Sequence, residues 1–255
     1  MDIKNMRKFS EVYKFGTFEV EGTETRVPKV MLGTSPFIGA GQFGAKAMEY
    51  YSKFYLKPEN MVSIILKCIE LGANAVQAVA YEKVINAISK SIEISDTEIF
   101  VLGTVGLENV DKELEFLQNI GAKFIVAHGD LVDSNIKKSI EILKIAKEYG
   151  FETGVATHTP GKVIPIVENI EEVRLILAPI NKIGRFMKPT IDSAMKAILN
   201  SSKPIIAIKP LAAGFLSPLE GLSFLSDKVK GIAVGITSET EAEETLNFAK
   251  LLFNR

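Results

Sequence analysis

The stretch GIAVGITSETEAEETLNFAKLLF (231–253) contains, in order, an apolar run, a short polar segment and a helical pattern. The apolar run, 231–234, is typical of a strand that is buried on both faces. Ser238 and Glu241 have the spacing of a capping box at the start of a helix. The apolar residues that follow recur at helical spacing on one face: Ala242, Leu246, Ala249 and Phe253. The stretch therefore predicts a β-strand followed by an α-helix.

The same order of signals recurs along the chain. Eight apolar runs are found, at 29–32, 74–79, 99–103, 123–127, 151–156, 173–178, 204–208 and 231–234, and after the first they start 22 to 31 residues apart. Such a spacing is that of a βα unit. Gly72 and Gly150 stand where helices end in a left-handed residue. Eight βα units in 255 residues predict an α/β fold, namely a (β/α)8 TIM barrel.

A doubly wound open sheet is the alternative fold. It usually has fewer strands, and its dinucleotide-binding form begins with GxGxxG, a spacing that Gly39, Gly41 and Gly44 do not have. Residues 14–27 lie outside the repeat, and their two alternating segments flank Glu21 and Gly22, which predicts an N-terminal β-hairpin that closes the bottom of the barrel. Without a linker or a shift in composition, we expect residues 1–255 to form a single domain.

The composition excludes several classes of protein. With 47% hydrophobic and 24% charged residues, the chain is too apolar to be intrinsically disordered. The 30 basic residues balance 31 acidic ones, which leaves no general excess of positive charge for nucleic-acid binding. No apolar run reaches membrane-spanning length, and the first residues lack the apolar core of a signal peptide. We expect a soluble cytoplasmic protein that binds neither nucleic acid nor membrane.

Residue usage adds two expectations. The single cysteine, Cys68, lies in an apolar helical pattern, which predicts core packing in a reduced compartment. The sequence has no tryptophan, three glutamines and two histidines, whereas Lys, Glu and Ile are abundant. This bias is typical of thermophilic proteins, although an AT-rich genome also enriches Lys and Ile.

Both histidines follow predicted strands. His128 comes directly after FIVA (124–127), and His158 follows the next strand, within ATHTP (156–160). Because barrel enzymes place their chemistry at the carboxyl ends of strands and imidazole titrates near neutrality, we predict acid–base roles, with capping or structural roles as the alternative. Asp130 is a third candidate ligand for a metal, but a metal usually needs more ligands, and we predict no metal site.

Lys209 ends the apolar run IIAIK (205–209). A lysine that emerges from an apolar strand is partly desolvated, which lowers its pKa and favours a Schiff-base nucleophile or an anion anchor. Alternatively, its stem packs on the barrel while the ammonium reaches solvent. Lys182 and Arg185 follow the sixth run and add positive charge, so the small-molecule substrate that we expect is a candidate for an anion.

Two loops near the end of the chain are rich in small residues, PLAAGFLSP (210–218) and GITS (235–238). In barrels such loops bind phosphate through backbone amides and a helix N-terminus. The predicted cofactor-binding residues are Leu211, Gly214, Gly235, Thr237 and Ser238. Four acidic residues in the first turns of the last helix oppose an added phosphate: Glu239, Glu241, Glu243 and Glu244.

Five stretches resemble the aldo/keto reductase superfamily over most of the chain: VPKVMLGTSPFIGAG (27–41), LGANAVQAVAY (71–81), FIVAHGD (124–130), KPLAAGFLSP (209–218) and IAVGITSETEAEETL (232–246). The resemblance implies a barrel, carbonyl reduction and a nicotinamide cofactor. In that family a tyrosine protonates the carbonyl, a lysine next to an aspartate lowers the tyrosine's pKa, and a histidine orients the substrate.

This catalytic set is matched in part. His128 stands at the histidine position, and Tyr81 matches the tyrosine, one residue closer to its strand than usual. Gln77 stands at the aspartate position and Thr104 at the lysine position. We therefore expect Tyr81 to lack a cation that would lower its pKa of about 10.

The residues that the resemblance assigns to the nicotinamide also differ. Ile208 stands at the ring-stacking aromatic, Ala156 and Thr157 at a Ser-Asn pair, and Leu177 near a glutamine, while acidic residues replace the arginine that would hold a 2′-phosphate. The cofactor therefore stays unassigned, with NAD(P)H as the candidate that the resemblance implies.

Three hypotheses about function remain open. The first is an aldo/keto reductase-like oxidoreductase of small molecules with a divergent site. The second is a non-redox barrel enzyme, a lyase, aldolase or isomerase, that uses His128, His158 and Lys209. The third is a catalytically silent binding protein on the same fold. The sequence does not decide the oligomeric state.

Overall fold

The computed structural model describes residues 15–225 and 228–253. Within them, two short antiparallel strands, β1 (Thr17–Glu19) and β2 (Arg26–Pro28), precede eight parallel strands that close into a barrel. The barrel strands are β3 (Val30–Gly33), β4 (Ala75–Val79), β5 (Phe100–Val105), β6 (Phe124–Ala127), β7 (Glu152–Ala156), β8 (Ile176–Pro179), β9 (Ile205–Ile208) and β10 (Gly231–Gly235). Closure occurs where β10 pairs with β3, with Val234 opposite Leu32.

Helices follow every barrel strand and surround the barrel. They are α1 (Ala47–Tyr50), α2 (Pro58–Glu70), α3 (Glu82–Ser95), α4 (Val110–Asn119), α5 (Gly129–Ser134), α6 (Ile136–Glu148), α7 (Pro160–Val167), α8 (Ile191–Asn200), α9 (Pro218–Ser223) and α10 (Glu239–Phe253). Short 3₁₀ segments, Ser35–Ile38 and Gly41–Lys46, and a π-helical segment, Tyr51–Tyr55, complete the connection between β3 and α2. The predicted (β/α)8 barrel is thus confirmed.

The hairpin of β1 and β2 closes the amino end of the barrel. Its side chains Phe18, Val20 and Val27 are buried in one cluster with barrel residues such as Met31 and Phe124. The turn between the strands contains Gly22, whose φ of 76° lies in the left-handed region that favours glycine. The predicted position of the hairpin is therefore confirmed.

All eight predicted strands are present, and the differences lie at their ends. The strand predicted at 99–103 continues to Val105, which extends β5 through Thr104. The strand predicted at 173–178 is assigned only from Ile176, although Val173 and Leu175 are buried ahead of it. The backbone already bonds to β7 there, because the N–H of Arg174 donates to the Thr153 carbonyl and the Leu175 carbonyl accepts from Val155.

The two predicted helix ends and the predicted burial of Cys68 are confirmed. Gly72 and Gly150 both have φ of 88°, as a left-handed helix terminus requires. Cys68 is buried in the core, and burial raises the pKa of its thiol to about 12. The part of the chain that the structure describes contains no helix long and apolar enough to cross a membrane.

The capping box predicted for α10 is half correct. The Ser238 Oγ accepts the backbone N–H of Glu241 at 3.1 Å, as predicted. The Glu241 carboxylate, however, accepts from Thr237 and not from Ser238. Because Thr237 offers a hydroxyl as well as an amide, it binds the carboxylate through two donors.

Candidate functional site

A cleft of about 710 Å³ opens at the carboxyl ends of the barrel strands. Most of the residues singled out in the sequence line it: Gln77, Tyr81, His128, His158, Lys209, Leu211, Gly214, Gly235 and Thr237. Ser238 instead caps α10. The barrel thus gathers, in one place, side chains that lie up to 160 residues apart in the sequence.

Asp130 lies between the two histidines. Its Oδ1 is 2.9 Å from the Nδ1 of His158, while its Oδ2 is 3.8 Å from the Nδ1 of His128, too far for a hydrogen bond. The two imidazole rings are 5.7 Å apart and nearly perpendicular. Glycine at position 129 lets the His158 ring lie close to the backbone of α5, because a Cβ at this position would lie only 3.0–3.1 Å from the ring.

The partners of the two imidazoles indicate different tautomers. An ionised carboxylate only accepts, so Asp130 favours a proton on Nδ1 of His158 and leaves Nε2 as a base. In His128, Nδ1 accepts the backbone N–H of Asp130 at 3.3 Å, which places the proton on Nε2. His128 therefore caps α5, as the alternative prediction held, and still presents an N–H donor.

Burial lowers the pKa of both histidines. For His128 the largest cause is desolvation, which is opposed by Asp130 and assisted by His158 and Lys209. For His158 desolvation is again the largest cause, followed by the positive charge of Lys209. Both imidazoles are therefore neutral at pH 7, in agreement with the tautomers that their hydrogen bonds indicate.

Asp133 fixes the backbone that carries His158. Its Oδ2 accepts the backbone N–H of His158 at 2.9 Å, and its Oδ1 accepts the hydroxyl of buried Thr157 at 2.5 Å. The Thr157 Oγ1 in turn accepts the N–H of Thr159 at 2.9 Å. These bonds connect α5 to the end of β7 and so orient the imidazole relative to Asp130.

Lys209 directly follows β9 and lines the cleft. Burial lowers the pKa of its ammonium from the ordinary 10.5 to about 8, against the opposing charges of Asp130 and Asp133. Its backbone φ is 55°, in the left-handed region, which for a residue other than glycine costs about 1–3 kcal/mol. Such strain is retained where surrounding contacts enforce it, and it is common at functional sites.

Asn181 supplies part of that enforcement. Its side chain is buried, and its Nδ2 donates to the carbonyl of Arg185 at 2.8 Å and, more weakly, to that of Lys209 at 3.4 Å. The backbone N–H of Arg185 returns a 2.9 Å bond to the Asn181 Oδ1. The loop after β8 is thereby tied to the end of β9, and it places the ring of Phe186 5.8 Å from the Lys209 Nζ.

Tyr81 lines the same cleft as a neutral pair of side chains, Gln77 and Thr104. The Gln77 Nε2 donates to the Thr104 Oγ1 at 2.8 Å, and both residues are buried. The pKa of Tyr81 is raised, first by burial and then by the negative charges of Glu108 and Glu113 and by Tyr55. The expectation that no cation lowers this pKa therefore agrees with the electrostatics of the site.

The Glu241 carboxylate accepts hydrogen bonds from the polar groups of Thr237, just before α10. Its Oε2 accepts both the backbone N–H and the hydroxyl of Thr237, each at 2.7 Å. Lys53 donates from its Nζ to the Thr237 carbonyl, also at 2.7 Å. The amide that was expected to bind an external anion thus already binds a carboxylate of this chain.

Several solved structures similar to this one are aldo/keto reductases. A candidate aldo-keto reductase from Pseudomonas aeruginosa matches with a TM-score of 0.67 and 14% identity, over 96% of this chain and 99% of that chain. An aldo/keto reductase from Brucella melitensis matches with a TM-score of 0.66 and 12% identity, over 94% and 96%. The fold is that of the aldo/keto reductases.

The same comparison includes a non-redox barrel. Phosphoribosyl anthranilate isomerase from Thermus thermophilus matches with a TM-score of 0.54 and 12% identity, over 75% of this chain and 94% of that chain. No family model and no curated protein matches the sequence. At these identities the similarity establishes the fold, whereas the chemistry must be argued from the site.

The residues present do not fit the dinucleotide that the fold implies. The cleft presents Ile208, Ala156 and Leu177 where the resemblance expects an aromatic ring and polar side chains for nicotinamide. The Thr157 hydroxyl donates to Asp133, and the Thr237 donors bind Glu241. A phosphate placed there would compete with a fixed carboxylate for the same donors, so we derive no step through NAD(P)H.

A metal site is likewise not evident in the described residues, where no three or more His, Cys, Asp or Glu side chains are arranged to hold an ion. Asp133 and Phe186 were not predicted to act in the site. The hydrogen bonds that the Glu241 Oε2 accepts from Thr237 were not predicted either. Asp133 follows Asp130 by three residues on the same strand-end helix, which was the one signal available in the sequence.

Proposed function

We propose that the protein is an enzyme that acts on a small carbonyl compound, with Lys209 as the nucleophile, His128 as a hydrogen-bond donor to the carbonyl oxygen and His158 as the base. The observation that carries the proposal is that Lys209, at the end of β9, lines the same cleft as both histidines, and burial there lowers its pKa to about 8. About a tenth of this amine is neutral at pH 7, compared with less than a thousandth of an ordinary lysine.

The first step follows from these groups. The neutral Lys209 amine attacks the carbonyl carbon, and loss of water gives an iminium, so that a ketone and an ammonium yield an iminium and one water molecule. His128, which is neutral with its proton on Nε2, is suited to donate a hydrogen bond to the carbonyl oxygen, and this oxygen leaves as water with the two protons that the Lys209 ammonium gives up. His158, with Nε2 free of its proton and Nδ1 held by Asp130, is suited to remove a proton from the carbon next to the iminium.

Borohydride trapping tests this proposal. Reduction of the iminium gives a stable secondary amine, so we expect the intact mass to increase when the protein is incubated with sodium borohydride and a panel of small aldehydes, ketones and keto acids. Peptide mapping is expected to place the adduct on Lys209. Lys188→Met is the matched control, because Lys188 also lines the cleft but is exposed.

The outcomes of this experiment are distinct. Lys209→Met is expected to abolish the adduct, and Lys188→Met is expected to retain it. Labelling that persists in Lys209→Met, or that is spread over surface lysines, would show that Lys209 is not the nucleophile.

Fold similarity favours a second candidate, an oxidoreductase of the aldo/keto reductase type. It requires affinity for a nicotinamide dinucleotide, and a ligand that binds only the native state raises Tm. Thermal unfolding with millimolar NADH and NADPH, with AMP as a control for the adenine end, separates the candidates. A shift with either dinucleotide supports the oxidoreductase, and the absence of a shift with both eliminates it.

A further inference from the structure

The start of α10 contains an anion position that the chain fills by itself. At most helix N-termini of barrel enzymes, free amides and the helix dipole are available to an external anion. Here the two donors of Thr237 are both directed at one oxygen, Oε2 of Glu241. Glu241 is the third residue of a helix of 15 residues, within its first turn, and it lines the cleft.

We propose that Glu241 is a specificity-determining residue that excludes phosphate from this end of the cleft and selects a ligand whose corresponding end carries hydroxyl or amino donors. A phosphate would need the same amide and hydroxyl, and it would approach the negative charge of Glu241. A hydroxyl or amino group instead donates to the Glu241 Oε1, which accepts no hydrogen bond from residues 15–225 or 228–253.

Lys53 strengthens this assignment. Its Nζ donates to the carbonyl of Thr237 and so fixes the backbone of the residue whose amide and hydroxyl bind Glu241. The ammonium of Lys53 is thereby engaged by a backbone oxygen, which makes Lys53 a support of the backbone at Thr237. The arrangement is thus complete without an external anion, and it is independent of the chemistry at Lys209.

Removal of the carboxylate tests the proposal directly, with inorganic pyrophosphate as the probe and isothermal titration calorimetry as the measurement. Glu241→Ala frees both donors of Thr237 and removes the charge, while Ser238 still caps α10. We expect its affinity for pyrophosphate to be at least about tenfold higher than that of the wild-type protein. Glu244→Ala, on the same helix and exposed, controls for the general loss of a negative charge.

Glu241→Gln provides a second variant that keeps an acceptor for Thr237 and loses only the charge. It is expected to gain less affinity than Glu241→Ala but more than Glu244→Ala, and it serves alone if Glu241→Ala does not fold. The proposal is overturned if the wild-type protein already binds pyrophosphate as tightly as these variants, or if neither variant exceeds Glu244→Ala. Because borohydride labelling does not enter this experiment, its failure leaves the proposed role of Lys209 intact.

Discussion

The Gln77 side chain donates a 2.8 Å hydrogen bond to the Thr104 hydroxyl inside the mouth of the barrel. Only 7% of Gln77 and 3% of Thr104 are exposed, so this is a buried pair in which both members are neutral. The resemblance to the aldo/keto reductases implies an aspartate and a lysine at the same two positions. The two positions thus hold a neutral pair where the resemblance implies an ion pair, and neither Gln77 nor Thr104 carries a positive charge that would lower the pKa of Tyr81.

A double-mutant cycle on this pair is expected to show strong coupling. Gln77→Leu leaves the Thr104 hydroxyl buried without this partner, and Thr104→Val leaves the Gln77 amide without its acceptor, so each should lower the free energy of unfolding by about 1–3 kcal/mol. The double variant removes both polar groups and should cost less than the sum. Urea denaturation measures all four proteins, and additive effects would show that the bond contributes little.

The reactivity of Lys209 is expected to follow its depressed pKa. Because only the neutral amine is a nucleophile, the rate of iminium trapping should rise about tenfold per pH unit below 8 and level off above it. An ordinary lysine would continue to rise towards its pKa of about 10.4. Rates measured between pH 6 and 9.5 with cyanoborohydride test this; a rate that still climbs steeply at pH 9.5 would contradict it.

The same pKa predicts a change in stability with pH. The folded pKa of Lys209, about 8, is below its ordinary value of 10.5, so between these values the unfolded chain binds more protons than the native protein. This group therefore makes the free energy of unfolding rise with pH over that window. Lys209→Met should be more stable than the wild-type protein at pH 7, and the difference should shrink as the pH approaches 10.5.

The histidines predict a loss of stability in acid. Burial lowers both pKa values, so below the ordinary value of 6.5 the unfolded chain takes up protons before the native protein does. The contribution of both groups to stability is present above pH 6.5 and is lost as the pH falls. Urea midpoints between pH 5 and 7 should therefore decrease less in a His128→Gln, His158→Gln double variant, while an identical decrease would assign the effect to carboxylates.

Asp133 is expected to position His158. Asp133→Asn replaces one acceptor with a donor that opposes either the Thr157 hydroxyl or the His158 amide, which should cost about 1–3 kcal/mol. The specific readout is the NMR titration of His158, whose apparent pKa should change when its bond to Asp130 is no longer aligned. Thr157→Val removes the bonds of the Thr157 hydroxyl to Asp133 and Thr159 but keeps the bond between the His158 amide and Asp133, so it should change the pKa of His158 less. An unaltered titration in Asp133→Asn would reduce Asp133 to a structural role.

The barrel was predictable from the sequence because its strands carry a strong signal. Residues of strands that are buried on both faces are apolar at nearly every position, as in β6 and β9, and pairing is then set by chain order. The end of β5 was missed, since Thr104 is polar and its hydrogen bond to Gln77 is invisible to hydropathy. Tertiary contacts also decided the partner of Glu241, because Thr237 competes with Ser238 for the same carboxylate.

The site was predictable as a set of strand-end residues but not as a geometry. The rule that chemistry lies at the carboxyl ends of strands brought His128, His158 and Lys209 into one cleft. No pattern in the sequence shows that Asp130 faces both imidazoles, because that depends on the turn of α5. The single domain over 1–255, the thermophilic origin and the cytoplasmic location stay predictions.

The hairpin offers a test of how the barrel is closed. Phe18 is buried at the amino end of the barrel among interior residues, so Phe18→Ala should lower the free energy of unfolding by about 3–5 kcal/mol through lost burial and an unfilled cavity. Phe215→Ala is the control: its ring is 65% exposed and packs against the Arg185 guanidinium, so its removal should change stability by no more than about 1 kcal/mol. Urea denaturation measures both. A loss at Phe18 as small as the one expected at Phe215 would mean that the packing of this ring contributes little to closing the barrel.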